Sequence, residues 1–307
     1  MKQTTIKRSV TIRGTGLHSG QPATLTILPS YSGKGLVFRR MDAGRAEVPA
    51  APRFLQSTNY ATRLARNGVR VDTVEHVLAA LYACGIDNAV LELDGPEVPS
   101  LDGSSEPFVV MLGAAGRIEL PAERTRIRIL KPVSLLEEDK SIVIYPARGF
   151  HVTYSIEFDH PLLKFQKHSI EITSSTFASE IAPARTFGFL RDVEALRKVG
   201  LARGGSLENA VVIGDDQILN SELRFDNECV RHKILDLVGD FALLGCHFDG
   251  HVVAHKGGHH IHTDFLRKLL ATRGAYELLG SEPAVSLPDL VASQAAAAVA
   301  PYAPASA

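Results

Sequence analysis

Polar and apolar side chains separate at helical spacing in the run from Arg231 to Asp240, and this pattern constrains the fold more than any other. His232, Asp236 and Asp240 share one side of a helix, because residues four apart lie one above the other. The opposite side is apolar and consists of Ile234, Leu237, Val238, Phe241 and Leu244. We expect a helix whose apolar side packs on a core and whose polar side faces solvent or a cleft. An isolated His-x-x-x-Asp pair is also typical of a solvated surface helix, so the spacing leaves both interpretations open.

The run from Thr73 to Leu81 is organised in the same way. His76 lies across the helix from a core stripe that consists of Val74, Leu78 and Leu81. The positive end of the helix dipole disfavours a charged histidine in the first turn, so we expect His76 to be neutral and free to bind a metal. Glu75 has two interpretations. It either serves as a functional carboxylate beside His76 or folds back on the helix start in an Asp72-x-x-Glu75 capping box.

Two histidines and one aspartate suit a metal site of the hydrolytic type. Three such ligands leave a fourth position for water, as hydrolytic zinc enzymes require, although the same set also suits iron or cobalt. A carboxylate next to a ligand, as Glu75 is, is suited to accept the proton of that water. The His-Glu-x-x-His arrangement is absent, so such a site has to be assembled from distant parts of the chain. A third cluster, between His255 and His262, adds imidazoles that suit ligands or acids but that, taken alone, are more typical of surface or capping residues.

The element order predicts two domains. A chain of 307 residues is long enough for two domains of roughly 150 residues each. Strand-like alternation comes first, at 4–13, 23–28 and 35–39. It is followed by a helix at 72–84, a buried strand at 88–94 and a second helix from about residue 104. The pattern then restarts, with strands at 127–133, 141–145 and 151–158, a helix at 227–244, a strand at 252–254 and a helix at 260–273. We place the domains at 1–122 and 123–285 and expect the Ala-rich tail 286–307 to be mobile, because it has little bulky apolar surface.

Charge and cysteine content exclude several classes of protein. The 33 Lys and Arg nearly cancel the 34 Asp and Glu, so no net field favours nucleic acid or an anionic membrane. The opening MKQTTIKRSV is not followed by the apolar run of a secretory signal, and no stretch approaches transmembrane length. Cys84, Cys229 and Cys246 lack the spacing of a disulfide frame or thiolate zinc cage. We expect a cytoplasmic protein with no membrane-spanning segment and no nucleic-acid partner; no oligomeric partner is evident.

Four separated motifs run along the chain: Thr73-Val74-Glu75-His76, Ala184-Arg185-Thr186-Phe187-Gly188-Phe189, His232-Lys233-Ile234-Leu235-Asp236 with Gly239-Asp240, and Lys256-Gly257-Gly258-His259. Together with residues 14–20 and 102–104, they resemble the UDP-3-O-acyl-N-acetylglucosamine deacetylases of Gram-negative bacteria. Their order and spacing match over most of the chain, and only the Ala-rich tail lies outside. The resemblance implies hydrolysis of the N-acetyl group of a UDP-linked, acylated amino sugar at the committed step toward lipid A.

The resemblance also implies a site. One zinc ion per chain would be held by His76, His232 and Asp236, with Glu75 as general base and His259 as the general acid that protonates the leaving amine. This division of labour is chemically sensible, because amide cleavage needs a proton for nitrogen and charge stabilisation on oxygen.

Further roles follow from the same resemblance. Asp240 would orient His259 and raise its pKa, while Lys233 and Thr186 would stabilise the oxyanion. An apolar passage for the acyl chain would be formed by the segment 187–201, in which we expect Phe187 to contact substrate.

Val193 and Leu196 in this segment are expected to pack at helical spacing. Phe158 would stack on uracil, and Lys140 and Lys256 would meet the diphosphate.

The implied fold is of the α+β class. Two similar ββααβ domains would form a sandwich with helices packed between two outer sheets and the zinc site at the domain junction. Two alternatives remain open: a zinc amidohydrolase for another N-acyl sugar, and a non-catalytic metal-dependent binding protein.

Overall fold

A computed structural model describes residues 1–280 of the chain. The predicted tail 286–307 and the last five residues of the second predicted domain lie outside the described residues. Over the described part the protein is a mixed α and β structure with several sheets and six helices, which is compatible with the predicted α+β class. No helix over residues 1–280 combines the length and the apolar character needed to cross a membrane.

The first half contains ten strands and two helices. The strands are β1 (Lys2–Ile6), β2 (Val10–Thr15), β3 (Pro22–Pro29), β4 (Leu36–Arg40), β5 (Ala46–Pro49), β6 (Leu55–Ser57), β7 (Arg63–Arg66), β8 (Val69–Val71), β9 (Ala89–Leu93) and β10 (Arg117–Glu123). The helices are α1 (Glu75–Ala83) and α2 (Glu106–Ala115).

The second half contains the remaining described strands and helices. The strands are β11 (Arg126–Ile129), β12 (Val133–Glu137), β13 (Lys140–Tyr145), β14 (Phe150–Glu157), β15 (Phe165–Glu171), β16 (Phe187–Phe189), β17 (Val211–Ile213), β18 (His247–His255) and β19 (Tyr276–Leu279). The helices are α3 (Ser174–Thr176), α4 (Leu190–Lys198), α5 (Glu228–Ala242) and α6 (His259–Ala271).

Each half is built around one main sheet. The first has five strands in the order β2-β3-β9-β4-β5, in which β9 runs parallel to β4 and antiparallel to β3. The second has seven strands, and its long β18 pairs with β11, β13 and β14. In both sheets alternate residues are buried, as in Leu25 and Ile27 of β3, which is the pattern of a sheet with one face on the core. The buried residues of both halves form one continuous hydrophobic cluster.

Helices α1 and α5 pack closely against each other and bring the two halves of the chain together. At the crossing, a side chain at Gly239 would clash with the backbone carbonyl of Glu75, so this position requires glycine. All nine residues of α1 are buried, including His76 on its polar side. The polar sides of both helices therefore face a protein-lined cleft, and the surface-helix interpretation of the His232/Asp236 pair is wrong.

Several expected elements differ in their bounds. The helix expected from residue 72 begins at Glu75, and the single strand expected at 127–133 is divided into β11 and β12. The strand expected at 252–254 is the end of the nine-residue β18. The two long helices expected in the second half are confirmed as α5 and α6.

The segment after residue 186 contains a small two-stranded sheet. Strand β16 pairs in parallel with β17, and α4 follows β16 directly. No residue of α4 is buried. Val193 and Leu196, which were expected to pack at helical spacing, are half-buried, whereas the other residues of α4 are exposed. Their spacing on one side of the helix agrees with that prediction, although neither residue is fully buried.

Candidate metal centre and catalytic cleft

The three predicted ligands converge at the crossing of α1 and α5. Asp236 Oδ1 lies 3.4 Å from His232 Nε2 and 3.8 Å from His76 Nε2. All three side chains are buried, and one ligand atom from each lies within 4.8 Å of the other two. Tetrahedral zinc with bonds of about 2.0–2.1 Å places its ligands roughly 3.4 Å apart, so this spacing fits a divalent ion.

The protonation of the three side chains also suits a metal. His232 Nδ1 donates to the carbonyl of Ala184 at 3.0 Å, which leaves the Nε2 lone pair directed at Asp236. Burial lowers the pKa of His76 to about 3, so its imidazole is neutral. Burial opposes ionisation of Asp236, but Lys233 and the nearby imidazoles hold the pKa of its carboxyl well below the usual range. Two neutral imidazoles and one carboxylate are therefore available as ligands.

Glu75 lies beside this group and is almost completely buried. Its Oε2 accepts a hydrogen bond from the backbone nitrogen of Thr62 at 3.1 Å. Burial raises the pKa of Glu75 to about 7, against the opposing effect of His259. The capping-box interpretation is wrong: α1 has no side-chain cap, and Asp72 instead pairs with Arg63 at 2.5 Å.

His259, the first residue of α6, faces Glu75 across the cleft. Its Nε2 lies 3.8 Å from Glu75 Oε1 and 3.9 Å from Asp236 Oδ2, while its Nδ1 lies 2.8 Å from Asp240 Oδ2. Burial alone would lower the pKa of His259, but Asp240, Asp236 and Glu75 outweigh it and raise the pKa to about 10. A buried imidazolium held between carboxylates is suited to donate a proton.

Asp240 is fully buried behind His259, so it does not line the cleft. Its Oδ2 also lies 2.8 Å from His262 Nδ1, and its Oδ1 accepts a hydrogen bond from Thr62 Oγ1 at 2.6 Å. Burial opposes ionisation, but His259 and His262 lower the pKa of Asp240. Thr62 thus contacts both Asp240 and Glu75, although its place in the sequence gives no sign of this.

Lys233 and Thr186 both line the cleft. Lys233 Nζ is 3.0 Å from Asp236 Oδ2 and 5.5 Å from the ring centroid of Phe187. Burial lowers the pKa of Lys233, but Asp236 outweighs it, and the net shift is upward, so the ammonium stays charged. The backbone nitrogen of Thr186 donates to the carbonyl of Gly103 at 2.8 Å, which fixes this segment against the first half.

The cleft has a volume of about 310 Å³ and brings most of the predicted residues together. Those that line it are Glu75, His76, Lys140, Thr186, Phe187, His232, Lys233, Asp236 and His259. Two predicted substrate-binding residues do not line it. Phe158 has its ring centroid 6.0 Å from that of Phe187 and 5.3 Å from that of Phe189. Lys256 Nζ is paired with Asp139 at 2.9 Å and Glu157 at 3.3 Å.

Other residues at the site were not predicted from the sequence. His18 lines the cleft, and its buried Nε2 has no hydrogen-bond partner among the described residues. The only signal for it was the similar stretch at residues 14–20. His262 could have been found from helical spacing, since it lies three residues after His259 on α6. Thr62 carried no sequence signal.

Comparisons with known proteins identify the family of this chain. Residues 3–271 match the family model described as LpxC: UDP-3-O-acyl N-acetylglycosamine deacetylase. Proteins named UDP-3-O-acyl-N-acetylglucosamine deacetylase are similar along nearly their whole length. The one from Syntrophotalea carbinolica is 46% identical, covering 92% of this chain and 93% of its own. The protein from Myxococcus xanthus is 46% identical, covering 90% of this chain and 89% of its own. The protein from Geotalea uraniireducens is 43% identical, covering 94% of this chain and 97% of its own. The chain therefore belongs to the UDP-3-O-acyl N-acetylglycosamine deacetylase family.

Proposed function

We propose that this protein is a zinc-dependent deacetylase that hydrolyses the N-acetyl group of UDP-3-O-acyl-N-acetylglucosamine and releases acetate, at the committed step toward lipid A. The observation that carries the proposal is the convergence of His76, His232 and Asp236 in one buried cleft with Glu75 and His259. Membership of the family, whose relatives bear that name, supports the choice of substrate.

The ligand set suits one zinc ion per chain. When bound, the ion supplies a polarised water and a Lewis acid for the substrate carbonyl. The spacing of the ligand atoms and the neutral state of both imidazoles support His76, His232 and Asp236 as its ligands.

Other side chains at the cleft transfer protons or stabilise charge. Glu75 accepts a proton from the attacking water, for which its pKa of about 7 is suited. Lys233 and Thr186 donate to the oxygen of the carbonyl as negative charge develops there. His259 donates its Nε2 proton to the amide nitrogen as the carbon–nitrogen bond breaks, so that acetate and a free amine leave. Asp240 holds the opposite ring nitrogen, Nδ1, and favours the protonated imidazole.

The substrate contacts are a further part of the proposal. Phe187 lies at the wall of the cleft, and the exposed Leu190 at the start of α4 follows it three residues later, which suits an acyl chain leaving the site. Lys140 at the start of β13 and Lys256 provide charge for the diphosphate, and Phe158 provides a ring for uracil. For Lys256, diphosphate binding would have to replace its pairing with Asp139.

The finer architecture belongs to the same proposal. Two similar ββααβ units, at 1–122 and 123–285, would form a sandwich with helices between outer sheets and zinc at their junction. The end of β10 at Glu123 and the packing of α1 against α5 support this division. A cytoplasmic location is supported by the three unpaired cysteines, Cys84, Cys229 and Cys246.

The test is metal content measured together with acetate release from the UDP-linked acyl sugar. We expect His232→Ala to lose both, because it removes a ligand. Glu75→Gln keeps the shape of the side chain and should retain the metal but lose about 100-fold or more in kcat. Metal-loaded wild-type protein that releases no acetate would overturn the proposed function, and a fully active Glu75→Gln variant would overturn the assigned base.

A further inference from the structure

A row of buried hydrogen bonds extends from the cleft into the core of the second half. The hydroxyl of Tyr154, on β14, lies 2.9 Å from His262 Nε2, and His262 Nδ1 lies 2.8 Å from Asp240 Oδ2. Asp240 Oδ2 also lies 2.8 Å from His259 Nδ1. Tyr154, His262 and Asp240 have no exposed surface. The mechanism proposed above uses Asp240 and His259 but leaves Tyr154 and His262 without a role.

The proton positions along this row are determined by its two ends. Burial raises the pKa of Tyr154 well above its usual value, so the hydroxyl keeps its proton. It therefore donates a hydrogen bond to His262 Nε2. Burial lowers the pKa of His262, and the ring is neutral. A neutral ring that accepts at Nε2 carries its proton at Nδ1, where it donates to the carboxylate of Asp240.

Asp240 consequently receives three donors in fixed directions. His259 and His262 both donate to Oδ2, and Thr62 donates to Oδ1. A carboxylate held on both oxygens cannot rotate without breaking a hydrogen bond in a place that water does not reach.

The backbone before α6 leaves room for this row. A side chain at Gly257 would clash with the Tyr154 hydroxyl and lie 3.2 Å from His262 Nε2. The preceding Lys256 has a φ of 52°, a conformation that turns the chain toward the start of α6. Tyr154 and His262 are thus packed directly beneath the loop that ends at His259.

We propose that His262, held in one tautomer by Tyr154, is a positioning residue that fixes Asp240 and through it the orientation of His259. The inference rests on the proposed function, in which His259 donates a proton to the leaving amine. Its effect should fall on kcat with KM nearly unchanged, because neither His262 nor Tyr154 lines the cleft.

Three variants of the metal-loaded full chain test the proposal. His262→Leu removes the donor to Asp240, and we expect kcat to fall about ten-fold or more. His262→Asn keeps an N–H group near the place of Nδ1 and should recover most of that loss. Tyr154→Phe removes only the hydroxyl and should lower kcat by a smaller factor. In the wild-type protein, ring ¹⁵N chemical shifts should report the Nδ1–H tautomer of His262.

A matched control separates positioning from simple loss of packing. His247 is another carboxylate-paired histidine, with its Nε2 3.4 Å from Asp87 Oδ1, and it lies outside the cleft. His247→Leu should lower the melting temperature and leave kcat unchanged. A His262→Leu variant that folds and has wild-type kcat would overturn the inference. If that variant does not fold, an Nε2–H tautomer of His262 in the wild-type protein would overturn it instead. Active wild-type protein in either case leaves the proposed function intact, whereas inactive metal-loaded wild-type protein refutes the function itself.

Discussion

Replacing Arg185 by methionine should destabilise the protein and weaken its metal site together. The carboxylate of Glu228 is fully buried and lies at the start of α5. Its Oε1 accepts from the backbone N and the Nε of Arg185, both at 2.9 Å, and its Oε2 accepts from the backbone nitrogen of Arg224 at 2.8 Å. Methionine keeps most of the length of the side chain but removes the guanidinium, so Glu228 is left buried with only backbone donors.

The magnitude follows from this burial. Breaking a buried ion pair by removing one partner costs about 3–5 kcal/mol. At roughly 2–4 °C per kcal/mol for a chain of this size, the melting temperature should fall by roughly 6–20 °C. Replacing both partners, as in Arg185→Met with Glu228→Leu, removes the unpaired charge and should recover much of the loss.

Arg185→Met should also weaken metal binding. The carbonyl of Ala184, next to Arg185, accepts the hydrogen bond from His232 Nδ1 that directs the other ring nitrogen at the site. Loss of such a supporting contact typically costs 10–100-fold in metal affinity. We expect the single variant to bind zinc more weakly by about that factor.

Thermal unfolding and competition with a chromophoric chelator measure the two effects. The control is Arg128→Met, which breaks the exposed pair of Arg128 and Glu277, at 2.9 Å. An exposed pair contributes about 0–1 kcal/mol, so this variant should unfold near the wild-type temperature. If Arg185→Met has a melting temperature as high as that of Arg128→Met, the predicted cost of the unpaired buried charge is refuted. If it is destabilised but binds zinc normally, the link through Ala184 is refuted.

Three further predictions concern the reaction. The pH profile of kcat/KM should be bell-shaped, because Glu75 acts only when ionised and His259 only while protonated, and their pKa values are raised to about 7 and about 10. A bound divalent cation favours the deprotonated form of both and moves both limbs to lower pH; a profile with a single limb would contradict this pairing. A chelator should abolish acetate release, and added zinc should restore the rate. The circular dichroism spectrum should stay native throughout, because the core is continuous without the metal. Activity that survives complete metal removal would exclude a metal mechanism. A substrate without its O-linked acyl chain should react far more slowly, since remote binding energy is lost from the transition state; equal rates would favour an amidohydrolase for another N-acyl sugar.

Local patterns were sufficient for helices α1, α2, α5 and α6 and for the types of donor, but not for short strands such as β6–β8. The amphipathic spacing of residues 231–240 predicted α5 and the common face of His232 and Asp236, and the structure has both. Periodicity is set by the geometry of a single helix, so it can be read without knowing what packs against that helix. The roles of these residues were implied by the resemblance, and they remain predictions for the experiments above.

The arrangement between elements was decided by tertiary structure. Whether the polar side of α5 faced solvent or a cleft depended on α1, which approaches so closely that only glycine fits at position 239. Glu75, the first residue of α1, does not have the capping role that its local sequence favoured. Thr62 and His262 became part of the site only because distant segments folded around Asp240. Spacing along the chain describes one face of one element, whereas a buried site is formed by several elements whose mutual contacts are set by the packing of the whole core.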